Sequence, residues 1–335
     1  MIDQTVKVIG VGSPIVDLIA GVGEDVLLSV PGRKGGMELV DSQAMESLME
    51  LVSGEPVRAP GGSAANTTFA LARLGVSCAF LGKLGDDRNG AYYRDAFERL
   101  GGDCSRFKTD KTRPTATCLS FVTPDSERTL RTDLGSAMAL RPEEITAEDF
   151  AGCSLAHIEG YLLFNPDLLA AVLEAAAAAG CRISLDLGSF EIVEAAREIL
   201  PGLLERYVDI VFANEEEAAS FCCNRNPEAG IEALGALCAV AAVKCGPGGA
   251  LLKDKTGKVH TPAIEVDNVL DTTGAGDFWA AGFCYGHLSG SPLAVSGRLG
   301  SLLGGNVVQH LGADLPAEVW KSVIEEVEKT MWRPC

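Results

Sequence analysis

Between Leu155 and Lys244 the chain repeats one pattern, in which a short apolar run is followed by a helical stretch of about ten residues. Leu155–Ile158, Arg182–Leu187, Ile210–Ala213 and Ala239–Lys244 read as strands, and Pro166–Ala179, Glu191–Leu200, Glu215–Cys222 and Ile231–Cys238 read as helices. Strands that alternate with helices form strand–helix–strand crossovers, and such crossovers run neighbouring strands parallel. The pattern therefore predicts an α/β fold, a doubly wound and mostly parallel sheet flanked by helices. Val6–Val11 and Ser77–Gly82 add strands before the repeat. Ser42–Val52, Asn66–Leu74 and Tyr92–Leu100 add helices, the last two stopped by Gly75 and by Gly101-Gly102.

One segment breaks the pattern. Thr115–Thr123 and Arg128–Thr132 carry β-branched residues on both sides of Pro124-Asp125-Ser126-Glu127, a strand–turn–strand signature. It falls between helix–strand alternations, which predicts a small β-rich lid inserted in the N-terminal half, drawn from about 13–57 and 107–134. At roughly 150 residues per domain the chain is long enough for two. No repeat, charge block or low-complexity linker divides it, so residues 1–335 read as a single domain. The hairpin has edges that could pair with a second copy, so monomer and homodimer both stay open.

Charge and cysteine usage exclude several functions. Lys and Arg number 28 against 46 Asp and Glu, giving 28 − 46 = −18. Such a surface repels phosphodiester backbones and anionic headgroups, so neither nucleic acid nor a membrane is an expected partner. The eleven cysteines include no C-x-x-C pair, and Cys222 and Cys223 are adjacent. Cys78, Cys118, Cys181, Cys238 and Cys284 lie in apolar runs, where a free thiol acts as a small hydrophobe, which predicts reduced cysteines and a cytoplasmic protein. The opening MIDQTVKVIGVGSP shows no signal peptide. The longest apolar stretch, Leu168–Ala179, contains Glu174 and is too short to span a bilayer.

The sharpest motif is Asp271-Thr272-Thr273-Gly274-Ala275-Gly276-Asp277, which follows a strand-like approach (Ala263–Val266, then Leu270) and opens a helix of small residues. Three small residues let backbone amides turn toward one point, and the helix dipole adds partial positive charge. That makes an anion hole suited to a transferring phosphoryl group. Asp277, in the first helical turn beside it, can accept the proton of an attacking hydroxyl. Taken alone, the segment reads equally well as an Asp capping a Gly-rich helix start. A second motif, Pro60-Gly61-Gly62-Ser63-Ala64-Ala65-Asn66, also precedes a helix. Its glycines permit close backbone approach, and Asn66 offers a donor and an acceptor to hydroxyls, or an N-cap. Ile15 stands where a G-x-G-x-x-G from Gly10 needs a small residue, no G-x-x-x-x-G-K-[ST] occurs, and the four histidines lack metal-ligand spacing.

Together the two glycine segments resemble the signature stretches of the ribokinase-like, or phosphofructokinase B-type, family of carbohydrate and nucleoside kinases. The likeness runs over nearly the whole chain. It includes Gly12-Ser13-Pro14-Ile15-Val16-Asp17, the N-x-x-E motif Asn214-Glu215-Glu216-Glu217, and the loop Lys244-Cys245-Gly246-Pro247-Gly248-Gly249. Lys34–Val40, Glu159–Leu163 and Val307–Ala313 look like the adenosine-kinase-like branch.

The resemblance implies roles. Asp277 would be the general base, with Gly274, Ala275 and Gly276 as the anion hole. Asp17, Gly61, Gly62 and Asn66 would hold the acceptor, and Arg128 on the hairpin would close over phosphates or substrate. Asn214, Lys244, Gly246, Gly249 and Asn306 would meet ATP, and Glu217 would organise Mg²⁺ through water. Asp271 and Thr273 resemble ligands of the monovalent cation, K⁺, that many members bind. Lys244 stands where many members carry Thr, and its ammonium could meet a phosphate or pair locally. The expected activity is transfer of the γ-phosphoryl group of ATP to a hydroxyl of a sugar or ribonucleoside. The alternative is a catalytically inactive ligand sensor of the same fold. Phe107, Leu119, Phe121 and Phe164 are candidates for a base-binding slot, and equally for core.

Overall fold

The computed structural model describes residues 7–125 and 127–332. Val6, at the start of the predicted first strand, and Ser126, in the predicted turn, lie outside the described residues. The strands in chain order are β1 (Lys7–Val11), β2 (Ile15–Gly21), β3 (Met37–Leu39), β4 (Val57–Gly61), β5 (Ser77–Leu81), β6 (Lys83–Gly85), β7 (Lys108–Asp110), β8 (Ala116–Val122), β9 (Arg128–Asp133), β10 (Leu155–Glu159), β11 (Arg182–Asp186), β12 (Ile210–Asn214), β13 (Val240–Lys244), β14 (Ala250–Asp254) and β15 (Gly257–Thr261).

Eight of them form the body sheet in the order β15-β14-β13-β12-β11-β10-β1-β5. From β5 to β13 every pairing is parallel, as the crossovers require, and β14 and β15 add an antiparallel hairpin at one edge. Alternate residues of the strands feed two cores. Val8, Phe80 and Phe212 pack on one side with helices Ser63–Arg73, Ala275–Leu288 and Leu293–Val307, and Ile9, Ile158 and Leu185 pack on the other with Pro166–Ala178 and Pro227–Leu234. Small residues let two of these helices touch: a Cβ at Gly282 would lie 2.2 Å from the Leu299 carbonyl oxygen. The chain leaves β1 toward β5 on one side and returns to β10 on the other. The β1–β10 boundary is thus a topological switch point, where the strand ends open into a crevice.

A second sheet of five strands, in the order β3-β9-β8-β2-β4, is tied to the body by an ion pair from Arg128 on β9 to Asp271. The predicted hairpin is present as β8 and β9. It does not offer free edges: β2 covers β8 and β3 covers β9, so the open edges of this sheet belong to β3 and β4. Val16, Leu18, Leu119 and Phe121 join the body core, which seats the sheet on the body. Phe107, Leu119 and Phe121 are therefore core residues, whereas Phe164 is exposed.

Local boundaries differ from expectation where distant contacts decide. The strand-like approach at Ala263–Val266 and Leu270 is irregular, and β15 ends at Thr261. Pro262 cannot donate to a ladder, and Ile264 instead lies against the helix Leu293–Val307, where a Cβ on Gly305 would be 2.3 Å from its side chain. The helix expected from Asn66 starts earlier, at Ser63, which puts Asn66 in its first turn.

Candidate active site

Four adjacent parallel strands end in polar residues that share one edge of the sheet. Glu159 closes β10, Asp186 closes β11, Asn214 closes β12 and Lys244 closes β13; Glu159 pairs in register with Asp186, and Asn214 with Lys244. Each ends an apolar strand, so its side chain emerges where the buried sheet gives way to the crevice. A cavity of about 820 Å³ opens there, lined by Asp186, Asn214, Glu217, Lys244, Gly274–Asp277 and the Gly246–Gly249 loop. Among the described residues, no helix is long and apolar enough to cross a membrane.

The helix Ala275–Leu288 points its N-terminus into this cavity. Gly274 is its N-cap with φ +74°, a conformation that favours glycine, and no side chain caps it. The Ala275 amide donates to the Thr272 carbonyl at 3.1 Å. Among the described residues, the amides of Gly276 and Asp277 take no partner outside the helix. Asp277 is held from across the chain: Ser63 Oγ donates to its Oδ1 and Asn66 Nδ2 to its Oδ2, each at 2.8 Å, while Thr67 Oγ1 donates to its carbonyl oxygen at 3.0 Å. Its carboxyl is pushed up to about 6, chiefly by burial and by Asp186, against the pull of Asn66, Ser63 and Lys244. The structure brings two helix starts together, one carrying the carboxylate and the other orienting it.

Lys244 pairs with Asp186, Nζ to Oδ2 at 2.7 Å, and both side chains are largely buried. The ammonium also presses on the helix start, since a Cβ at Gly276 would lie 3.0 Å from Nζ. Burial disfavours its charge, but Asp186, Glu217 and Asp277 outweigh that and hold it protonated. Glu217 and Asn214 form a reciprocal cap. The Asn214 amide donates to Glu217 Oε2 at 2.8 Å, Asn214 Nδ2 donates to Oε1 at 2.7 Å, and the Glu217 amide returns a bond to Asn214 Oδ1. Burial and Asp186 raise the Glu217 carboxyl, against Lys244.

Among the described residues, no cluster of three or more His, Cys, Asp or Glu side chains is arranged to hold a metal directly. Both oxygens of Glu217 already face Asn214, so the donors here fit a magnesium ion that keeps its own waters and is gripped through them. Asp271 and Thr273 lie outside this group. Asp271 Oδ2 accepts from Arg128 and from the Gly312 amide, and Oδ1 accepts from the Thr273 amide. Those bonds tie the lid strand β9 to the helix-start loop, and a monovalent cation at the Asp271 side chain would have to displace them.

Arg128 also donates from Nε to Ser120 Oγ at 3.0 Å, so it bridges lid and body rather than extending to solvent. Asp17 on β2 lies in the same neighbourhood. Burial pushes its carboxyl up to about 6, with Arg128 opposing and Asp271 adding to the rise. A Cβ on Gly61 would sit 2.6 Å from Asp17 Oδ2, and one on Gly62 (φ +102°) 2.2 Å from the Ser13 carbonyl, so the paired glycines let the lid strands close around Asp17. In the loop that follows Lys244, Gly246 faces open space, whereas Gly249 passes so close to the Thr261 carbonyl that a Cβ would be 2.1 Å away. Asn306 is not brought to the cavity. It bonds back to the Leu302 carbonyl at 2.8 Å, and its neighbours Gly305 and Val308 line the wall instead.

Four further residues belong to this site without having been assigned a role from the sequence. Ser63 and Asp186 hold Asp277 and Lys244. Tyr161 lines the cavity beside Gly188. Glu159, fully buried, accepts from the Ser13 amide at 2.8 Å and the Ala64 amide at 3.3 Å, which pins both chain passages between body and lid. Burial pushes its carboxyl up to about 7 against those bonds. A polar residue closing an apolar parallel strand was the available signal for Glu159 and Asp186.

Known proteins share this fold. The profile of the pfkB family of carbohydrate kinases matches residues 42–320. An ATP-dependent ribose-1-phosphate kinase of Halopiger xanaduensis is 33% identical over 227 residues, covering 67% of this chain and 71% of that protein. An adenosine kinase of Dictyostelium discoideum is 23% identical over an alignment covering 94% of this chain and 98% of that one. The crystal structure of adenosine kinase from Sinorhizobium meliloti matches with a TM-score of 0.83 at 32% identity, covering 96% of this chain and 99% of that chain.

Proposed function

This chain belongs to the pfkB family and is a carbohydrate or nucleoside kinase with ATP as co-substrate, and we propose that it phosphorylates a hydroxyl of a ribofuranosyl compound, a nucleoside or a ribose derivative, with Asp277 as general base. One observation carries the reading. The Asp277 carboxylate is fixed by Ser63 and Asn66 at the start of the helix whose first turn, Gly276 and Asp277 included, lines the cavity. An acceptor hydroxyl placed there gives its proton to Asp277 as its oxygen attacks the γ-phosphorus. The amides and the Lys244 ammonium meet the negative charge on the phosphoryl oxygens. Mg²⁺, held through water by Glu217 and Asn214, would supply further neutralisation of the phosphates. Asp17 and the Gly61-Gly62 turn form the acceptor side beneath the lid, and Arg128 with Asp271 draws the lid onto the body, which limits entry of water. The names of the relatives favour ribofuranosyl acceptors, since they include an adenosine kinase and a ribose-1-phosphate kinase. Ten cysteines, free among the described residues, suit a reducing cytoplasm.

The test is an ADP-release assay with Mg-ATP and potassium, run on adenosine, inosine, ribose, ribose 1-phosphate, fructose and 2-keto-3-deoxygluconate. Turnover on a ribofuranosyl acceptor supports the proposal, and turnover confined to fructose or the keto-deoxy acid refutes the acceptor class. Asp277→Asn should lower kcat by about 10²–10⁴-fold, the range for a general base; near wild-type turnover would overturn that assignment. Binding of these compounds without ADP release from any of them would favour the ligand-sensing alternative.

A further inference from the structure

Lys244 ends β13 and Asp186 ends β11, with β12 between them. Neighbouring strands lie about 4.8 Å apart, so the lysine reaches across a whole strand to make its 2.7 Å contact. Three carboxylates surround its ammonium: Asp186, Glu217 and Asp277 all act on it. Only Asp186 is in hydrogen-bond contact. Two of these carboxylates would be harmed by capturing the ammonium. A pair with Asp277 would weaken the base by stabilising its charged form, and a pair with Glu217 would compete with its cap on Asn214. Held on Asp186, the ammonium stays against Gly276, at the helix start, and is bonded to neither of them.

We propose that Asp186 is a positioning residue for phosphoryl transfer: it draws the Lys244 ammonium across β12 and fixes it beside Gly276, where it meets the transferring phosphoryl group instead of pairing with the general base. The proposal rests on the kinase reading above. Asp186 in this role touches neither the acceptor nor ATP and acts only through the lysine.

A double-mutant cycle tests it, using Asp186→Asn, Lys244→Met and both together, with an acceptor that the wild-type enzyme turns over. Asp186→Asn should lower kcat about 10–100-fold, with the acceptor KM within about twofold of wild type, because the charge lost is one met at the transition state. Lys244→Met should lower kcat by a similar or larger factor. The double variant should be no slower than Lys244→Met alone, since Asp186 has nothing left to position. Losses that multiply would overturn the proposal, because Asp186 would then act by its own route, such as magnesium-bound water. An unaltered kcat in Lys244→Met would overturn it too, while leaving the kinase reading intact. Asp186→Glu keeps the charge and should recover part of the lost kcat; no recovery in a folded protein counts against the proposal. If Asp186→Asn leaves a buried ammonium that prevents folding, the comparison of Lys244→Met with the charge-free double variant still decides. A wild type that turns over none of the acceptors is a failure of the kinase reading and is recognised before any variant is made.

Discussion

Asp277 as the proposed general base predicts a pH profile whose direction follows from its contacts. A base acts as a carboxylate, and the Asp277 carboxyl is pushed up to about 6. Activity is therefore full above that value and is lost as pH falls through it, to roughly a tenth at pH 5 for one group at about 6. Ser63 Oγ donates to Oδ1 at 2.8 Å and so favours the charged form. A hydrogen bond to a charged group is worth about 1.5–3 kcal/mol. Asp277 is largely buried but keeps some exposure to the cavity, where water replaces part of the lost bond, leaving about 0.7–1.4 kcal/mol. At 1.36 kcal/mol for each pH unit, Ser63→Ala should move the acid limb of kcat/KM upward by about 0.5–1 pH unit. The assay is initial velocity of ADP release from pH 4.5 to 8.5 at fixed ionic strength, for wild type and variant side by side. Proton uptake by ATP itself is common to both enzymes and cancels in the comparison. A wild-type limb near 4, where ordinary carboxylates titrate, or a variant limb that stays put or moves down, would refute the reasoning.

Other perturbations separate catalysis from folding. Gly276→Ala places a Cβ 3.0 Å from the ammonium of Lys244 at an ordinary φ, whereas Gly274→Ala puts one 2.5 Å from Ala313 at φ +74°. The first should lower kcat about 10-fold or more with melting temperature nearly unchanged, and the second should lower both; thermal melts beside kinetics check this. Arg128→Gln loosens the tie from β9 to Asp271 and should raise the acceptor KM about 10-fold while speeding amide hydrogen exchange in β8 and β9, read by mass spectrometry. Glu159 has its folded value raised to about 7 from an ordinary 4.5, so the folded state binds the extra proton. Stability from this group is then greatest at low pH and declines as pH rises between those values, by at most about 3 kcal/mol. The melting temperature of the protein without ligands should fall from pH 5.5 to 7.5, and Glu159→Gln should flatten that fall; a steeper fall in the variant would contradict it.

What was legible in the sequence was what is encoded locally. Strands β10 to β13 could be read because both faces of each are buried, so apolar runs mark them without help from neighbours. Strands β2, β3 and β4 were missed since their sequences are mixed in polarity, and their state is decided by pairing with β8, β9 and one another across long separations. The same division governs the site. Gly274–Asp277 and Gly61–Asn66 were recognisable as two helix starts, yet the bonds from Ser63 and Asn66 to Asp277 span more than 200 residues, 214 and 211 in sequence. Asn306 shows the converse. Its family position suggested the nucleotide, but the carbonyl one helical turn back was a nearer partner.

Lys244 shows why the unreadable part matters most for mechanism. From the sequence alone Lys244, where many members carry Thr, could meet a phosphate or pair locally; the physical hazard is that a buried ammonium beside a carboxylate ordinarily pairs with it and holds down its basicity. The fold removes the hazard by spacing. Asp277 enters from a helix start above the sheet, whereas Asp186 rises from a strand two positions away in the same sheet edge, and the lysine is long enough to reach the latter. The ammonium is kept charged, and the residual effect of Asp186 on Asp277 raises the base rather than lowering it. A lysine beside the helix start and a carboxyl near 6 coexist because burial and Asp186 both raise the carboxyl, while Asp186, 58 residues before the lysine, takes the ammonium.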